Sequence, residues 1–245
     1  MLGLVRTKKA IVLIVEGITD EMIFQTFIDQ MLEKHDLTVK IVHGDAFSDY
    51  WNSSKAPKLI IGDIMKEVRE QTKFQLSDIV FIAQIIDIDG IYIPEEDFAV
   101  DSAVLIDAGK TYVYSLETTQ VITKNTQNQT SLKRTWAEKK KKVETLKSGF
   151  SYSSANIPYM LFYNSLTLEH VTNGKISKQE DKNNEAFNFI LNLEQNIENY
   201  LSFFQTKDES SSFKESWDKL HSEHWSIPKS NIKYLNDKIQ SLENG

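Results

Sequence analysis

The chain has 245 residues, 40% of them hydrophobic and 26% charged, with a formal net charge of −7 and no cysteine. That composition supplies a core for one large domain, or for one domain and a small appendage, and excludes disordered and collagen-like classes. The absence of cysteine excludes disulfides, thiolate zinc sites and cysteine nucleophiles, and a net negative chain does not coat nucleic acid through a general positive field, so any such contact has to be local.

No apolar run approaches the roughly 20 residues of a membrane span; the longest, around Ile79 to Ile86, is broken by Gln84 and ends in aspartates. The first residues carry Arg6, Lys8 and Lys9 and lead straight into a strand-like segment with no small-residue cleavage site. The expected compartment is the cytoplasm.

From Ala10 to Val15 the sequence AIVLIV is apolar and β-branched, the pattern of a strand buried on both faces. A helix follows: Thr19 can cap it, Asp20 and Glu21 suit its first turn, and Ile23, Phe24, Phe27, Ile28, Met31 and Leu32 recur at helical period. Leu37, Val39 and Ile41 alternate with polar residues as a second strand, ended by Gly44. Pro57 to Gln71 is predicted as a second helix with Leu59, Ile60, Ile64, Met65 and Val68 on one face. Ile79 to Ile86 is another buried strand and terminates in Asp87, Ile88, Asp89 and Gly90. Such alternation predicts an α/β fold, a mostly parallel Rossmann-like sheet flanked by helices, with ligands beyond the carboxyl ends of its strands.

Residues 92–155 read as an insertion, with strand patterns at Ala103 to Ile106 and Tyr112 to Val121 and a polar stretch from Thr123 to Thr130. Within it Lys133, Arg134, Lys139, Lys140, Lys141, Lys142 and Lys147 hold a quarter of the chain's 28 basic side chains, either a solvated face or a clamp for a phosphate backbone. Ile157 to Tyr163 is predicted as a fourth sheet strand, followed by a helix start over Leu166 to Val171. After Gly174 one long helical stripe runs through Phe187, Ile190, Leu193, Ile197, Tyr200, Leu201 and Phe204, and shorter ones through Phe213, Trp217 and Leu220 and through Ile232, Leu235, Ile239 and Leu242. The expected division is a catalytic unit over 1–174, with its insertion, and a helical region over 175–245. The helical stripes can pack on the sheet, form a homodimer or dock a partner.

An Asp-x-Asp at a strand end puts Asp87 and Asp89 on the same side of extended backbone, roughly 6 to 7 Å apart, within reach of one divalent cation. Hard oxygen ligands let such an ion also hold a phosphate. Aspartates at strand ends also cap turns, so the weight falls on Glu16, which follows an interior strand in a distant part of the chain. Asp20, one helical turn later, is a further ligand or a partner of the helix dipole. Glu169 and His170 lie beyond the fourth strand, and Gly44, Asp45 and Asp49 beyond the second, where an outer carboxylate or a helix cap is expected. His170 could donate to phosphate, face solvent or cap a turn, and His221 and His224 read as surface or packing residues.

Val15-Glu16-Gly17-Ile18-Thr19-Asp20 resembles the glutamate motif of the Toprim fold, in the form found in overcoming-lysogenization-defect nucleases and their standalone relatives. Ile85-Ile86-Asp87-Ile88-Asp89-Gly90 resembles the same fold's Asp-x-Asp motif, and the two occur in the family's order. The resemblance runs from about Ala10 to Val171, interrupted by the insertion. It implies a Mg2+ or Mn2+ site made by Glu16, Asp87 and Asp89, with Asp20, and cleavage of phosphodiester bonds in RNA or DNA. It also implies a catalytic lysine late in the domain, for which Lys175 and Lys178 are the candidates, with Lys139, Lys140, Lys141 and Lys142 gripping the nucleic acid. Topoisomerases need a tyrosine nucleophile on separate clamping domains and primases a cysteine-based zinc module, and this chain has room for neither. Similar proteins serve as effectors of bacterial anti-phage defence; with no Walker motif here, an ATPase would have to be a partner. Two other functions compete. One is a non-enzymatic Toprim-like protein that binds a partner or senses nucleic acid. The other is a haloacid dehalogenase-type phosphatase with Asp87 as nucleophile, disfavoured by Ile91 after the glycine and by a carboxylate loop, Gly44 to Asp49, on the upstream side.

Overall fold

Strand β1 (Lys9–Val15) is buried from Ala10 onward, and its alternating side chains separate two hydrophobic cores, one on each face of a sheet. The computed structural model describes residues 9–32, 37–43, 47, 55–106 and 110–243. Helix α1 (Ile18–Leu32) returns the chain to β2 (Leu37–His43), and α2 (Pro57–Thr72) leads to β3 (Ile79–Asp87). After residues 92–155 come β8 (Ile157–Asn164) and α4 (Leu168–Asn173). The main sheet has the order β2-β1-β3-β8-β7; its first four strands are parallel, and β7 (Phe150–Tyr152) pairs antiparallel at the edge. The fold is therefore α/β, with a mostly parallel sheet flanked by helices, as the alternation of patterns predicts.

One face carries Ile11, Leu13 and Val15 against Phe24, Phe27 and Ile28 of α1; the other carries Val12 and Ile14 against Ile61, Met65 and Val68 of α2. Helix α1 starts one residue before Thr19, so Thr19 is inside it; the first-turn reach-back is made by Asp20, whose Oδ2 accepts the Gly17 N–H at 2.8 Å. On α2, Leu59 is 64% exposed, and Ile61 takes the buried place assigned to it.

The middle segment differs most from its pattern. Ala103 to Ile106 forms no strand; the strand on this side is β4 (Phe98–Val100). The Tyr112 to Val121 stretch is split into β5 (Tyr112–Ser115) and β6 (Gln120–Thr123) by a turn with Thr119 at φ 51°, and the three make a second sheet of order β4-β6-β5. The polar stretch beyond it opens helix α3 (Thr126–Leu146), capped by Asn125, whose side chain accepts the Asn128 N–H at 2.8 Å. The lysine run thus lies on a regular 21-residue helix. Its buried stripe is Leu132, Trp136, Lys139, Val143 and Leu146, a four-three-four-three spacing that seats α3 on the core shared with α2. Trp136 lies so close to Gly90 that a Cβ there would stand 2.0 Å from the indole ring, so this glycine is a packing requirement of the roof over the strand end.

The helices beyond Gly174 pack onto the same cores. The long stripe is two helices, α5 (Lys182–Asn192) and α6 (Ile197–Gln205), broken where Glu194 and Gln195 take φ 55° and 49°; Phe187 falls on the solvent side at 54% exposure. Helix α7 (Phe213–Ser222) places Trp217 against Tyr163, and α8 (Ile232–Glu243) follows Asn231, whose Oδ1 accepts the Tyr163 N–H at 2.8 Å. The buried positions of these stripes thus pack on the two cores of the sheet. No described helix is long and apolar enough to cross a membrane.

Candidate functional site

The carboxyl ends of β1 and β3 lie side by side, because the two strands are adjacent and parallel. Glu16 is the first residue after β1 and Asp87 the last of β3. Asp89 is fixed by backbone: Ile88 N–H donates to the Asn164 carbonyl and Asp89 N–H to that of Leu166, both at 2.9 Å, with Asp89 at φ 51° and Leu166 at φ 53°. Aspartate tolerates the left-handed region better than most side chains, and the turn it makes aims its carboxylate back toward Glu16.

The ammonium of Lys139 stands between them, 2.6 Å from Asp89 Oδ2 and 3.2 Å from Glu16 Oε1, and the lysine side chain is only 1% exposed. Glu16 and Asp89 keep 18% and 24% of their surface open. Two acidic groups separated by more than seventy positions of chain thus share one cation. Asp87, beside them, accepts from the Asn164 amide at 3.4 Å. Burial pushes the Asp87 carboxyl well above the usual range, and repulsion from Asp20, Glu16, Glu169 and Asp89 adds to this. Asp20 is 7% exposed and raised from 3.8 to about 6, chiefly by burial, against the lowering effect of its Gly17 hydrogen bond. Glu169, in the first turn of α4, pairs with Lys182 at the start of α5 at 2.9 Å. Burial works against the charge of Lys182, but Glu169, with Asp87 and Asp20, outweighs it and holds the ammonium above its ordinary value.

The cluster therefore gathers Glu16, Asp20, Asp87, Asp89 and Glu169 around Lys139 and Lys182, an excess of negative charge at low solvent exposure. Among the described residues no group of three or more acidic or histidine side chains stands ready-formed around a metal position. Lys139 holds the place between Glu16 and Asp89, and Asp20 is turned to the Gly17 N–H. In kind the donors fit a hard divalent ion, since all are carboxylates and the raised proton affinity of Asp20 and Asp87 is relieved by added positive charge.

Above the carboxylates lies a cavity of about 950 Å3 between the strand ends and the inserted segment, with Glu16, Asp87, Asp89, Tyr112, Trp136 and Lys182 among its lining. Lys175 is not on it: that side chain is 60% exposed and pairs with Glu185 at 2.7 Å, although Ile176 to Gln179, the residues that follow it, do line the cavity. Lys182 and Lys178 line the cavity instead, and Lys182 was not legible, since nothing in its neighbours marks the first residue of a helix as facing a sheet edge.

The lysine run is no continuous clamp. Lys139 is in the carboxylate cluster; Lys142 is buried and donates to the Phe47 carbonyl at 2.8 Å. Lys140 and Lys141 are exposed, the first over the Tyr92 ring and the second paired with Glu138 at 2.6 Å. A helix turns about 100° per residue, so four adjacent lysines cannot share a face. His170 is 1% exposed, near the Ser165 carbonyl, and burial lowers its pKa; it packs beneath the α4 turn and does not line the cavity. His221 rests edge-on against Tyr92, and His224 lies near Asp97. Gly44, Asp45 and Asp49 lie outside the described residues. No family model, curated protein or solved structure matches the chain.

Proposed function

We propose that the chain is a Toprim-type, metal-dependent phosphodiesterase acting on RNA or DNA, with Mg2+ as its ion and Mn2+ as a substitute. The observation that carries this reading is the sharing of the Lys139 ammonium by Glu16 and Asp89, with the buried carboxyl of Asp87 beside them. Carboxylates from two separate strand ends converge on one cation position at the rim where α/β sheets take their ligands. Glu16, Asp87 and Asp89 would hold the ion, with Asp20 behind them. A divalent ion bound there supplies polarisation of a phosphate oxygen and a lowered pKa for bound water. The chain's own contribution is to exclude bulk water with the inserted segment and to face the phosphate with the Lys182 ammonium. An effector role in anti-phage defence, with an ATPase partner, rests on the motif resemblance alone.

One observation favours a second reading. Lys139 already neutralises part of the cluster, as in a binding or sensing protein whose acidic residues are structural. A cleavage assay on total RNA and plasmid DNA with Mg2+ or Mn2+ separates the two. The first reading predicts metal-dependent cleavage that falls on the order of 100-fold in Glu16→Ala and in Asp87→Ala. Full activity in either variant would remove that residue from the site, and binding without cleavage of any substrate would favour the second reading.

A further inference from the structure

We infer that the cavity over the carboxylates takes a single strand or an unpaired end of nucleic acid, with Tyr112 as the stacking surface for a base. This deepens the phosphodiesterase reading and rests on it for the placement of the phosphate.

The carboxylates line the floor of the cavity. Asp87 keeps part of its surface open and lines the cavity together with Tyr112 of β5 and Trp136 of α3. The cavity, about 950 Å3, lies at the upper end of the roughly 300–1,000 Å3 of small-molecule sites. That volume accepts a few nucleotides of flexible strand. It does not accept a duplex, a rod stiff over about 50 nm whose bases are stacked inside. Enzymes with a recessed centre act on strands already single or on nucleotides drawn out of the stack.

The lining has the two features that bind single strands, a cationic track and an aromatic face. Lys110, Lys178 and Lys182 supply the first, Lys182 while paired with Glu169. For the second, Tyr112 is part-exposed and braced edge-on by Tyr114 and Trp136, with ring centroids at 5.2 and 5.3 Å. Tyr114 packs behind Tyr112. It is only 9% exposed, and its ring also stacks on that of Trp136 at 6.2 Å, so the three rings form one rigid wall.

Fluorescence anisotropy tests the inference, with a labelled eight-nucleotide single strand and a labelled blunt duplex, both in Ca2+. The expected result is single-strand binding at least about 10-fold tighter than duplex, weakened on the order of 10-fold by Tyr112→Ala and by the bulkier Tyr112→Leu, and retained in Tyr112→Phe. Equal or tighter duplex binding, no single-strand binding, or undiminished binding by a folded Tyr112→Leu protein would each overturn it. The cleavage assay is read separately. A protein that cuts and binds duplex keeps the phosphodiesterase reading and loses this one, whereas one that binds single strands and cuts nothing does the reverse.

Discussion

Floor and roof of the cavity differ in where their charged groups come from. The floor places Glu16, Asp87 and Asp89 at the ends of strands buried on both faces, whereas the roof contributes Lys139 from the core-facing stripe of a long polar helix. The floor's charges are gathered by sheet topology, and parallel pairing of β1 with β3 brings them together whatever the rest of the chain does. The roof's charge is held by them. An ammonium in an apolar stripe is tolerated because two carboxylates meet it, so the roof is tied to the floor by charge as well as by packing.

Cutting that tie gives the largest effect on stability. Lys139→Met keeps the side-chain volume and strands Glu16 and Asp89 without their cation, at a cost of about 3 kcal/mol, the low end for breaking a buried pair because both carboxylates retain some solvent. Urea denaturation in chelator should show the loss, and saturating Mg2+ should return part of it through binding to the native state. An unchanged midpoint would mean that roof and floor are joined by packing alone.

Asp20 sharpens the comparison from the floor's side. Its folded pKa of about 6 lies above the ordinary value of 3.8, so the native state binds the proton more tightly than the unfolded chain. Ionisation of Asp20 therefore costs stability above about pH 6, and the cost is relieved as the pH falls from there toward 4. Asp20→Asn cannot ionise; in chelator it should be more stable than the parent on the order of 2 kcal/mol at pH 8 and no more stable at pH 4. A constant difference across that range would show that the floor is not charge-strained.

The smallest effect comes from loosening the roof at its far end. Asn125→Ala removes the side-chain acceptor for the Asn128 N–H and should cost about 1 kcal/mol in thermal or chemical denaturation. A cost well above this would mean that the cap holds the inserted sheet as well as α3.

The same contrast explains what was legible in the sequence. Strands β1 and β3 announce themselves as apolar, largely β-branched runs, β2 as an alternation and β8 as an aromatic-rich stretch, and Glu16 and Asp87 are conspicuous because a charge directly follows the first kind of run. The roof carries no such contrast. Strands β4, β5 and β6 are three or four residues long, too short for a period to show, and Leu105, read as part of a strand, is 92% exposed. Helix α3 hides its stripe because one position in it is a lysine. Leu132, Trp136, Val143 and Leu146 frame Lys139 at heptad spacing, and that frame, rather than the run of four lysines, was the available signal. Lys182 is different: its role depends on where α5 begins after a loop, which no local pattern fixes.

The central claim, that strand-end carboxylates form one cation site with Lys139 holding its place, is tested most directly by isothermal titration of Mn2+ into the protein and its variants. The account predicts saturable binding to the parent, loss of that binding in Glu16→Gln and in Asp87→Asn, and tighter binding in Lys139→Met. Binding that is absent from the parent and from Lys139→Met, or that is the same in all four proteins, would contradict it.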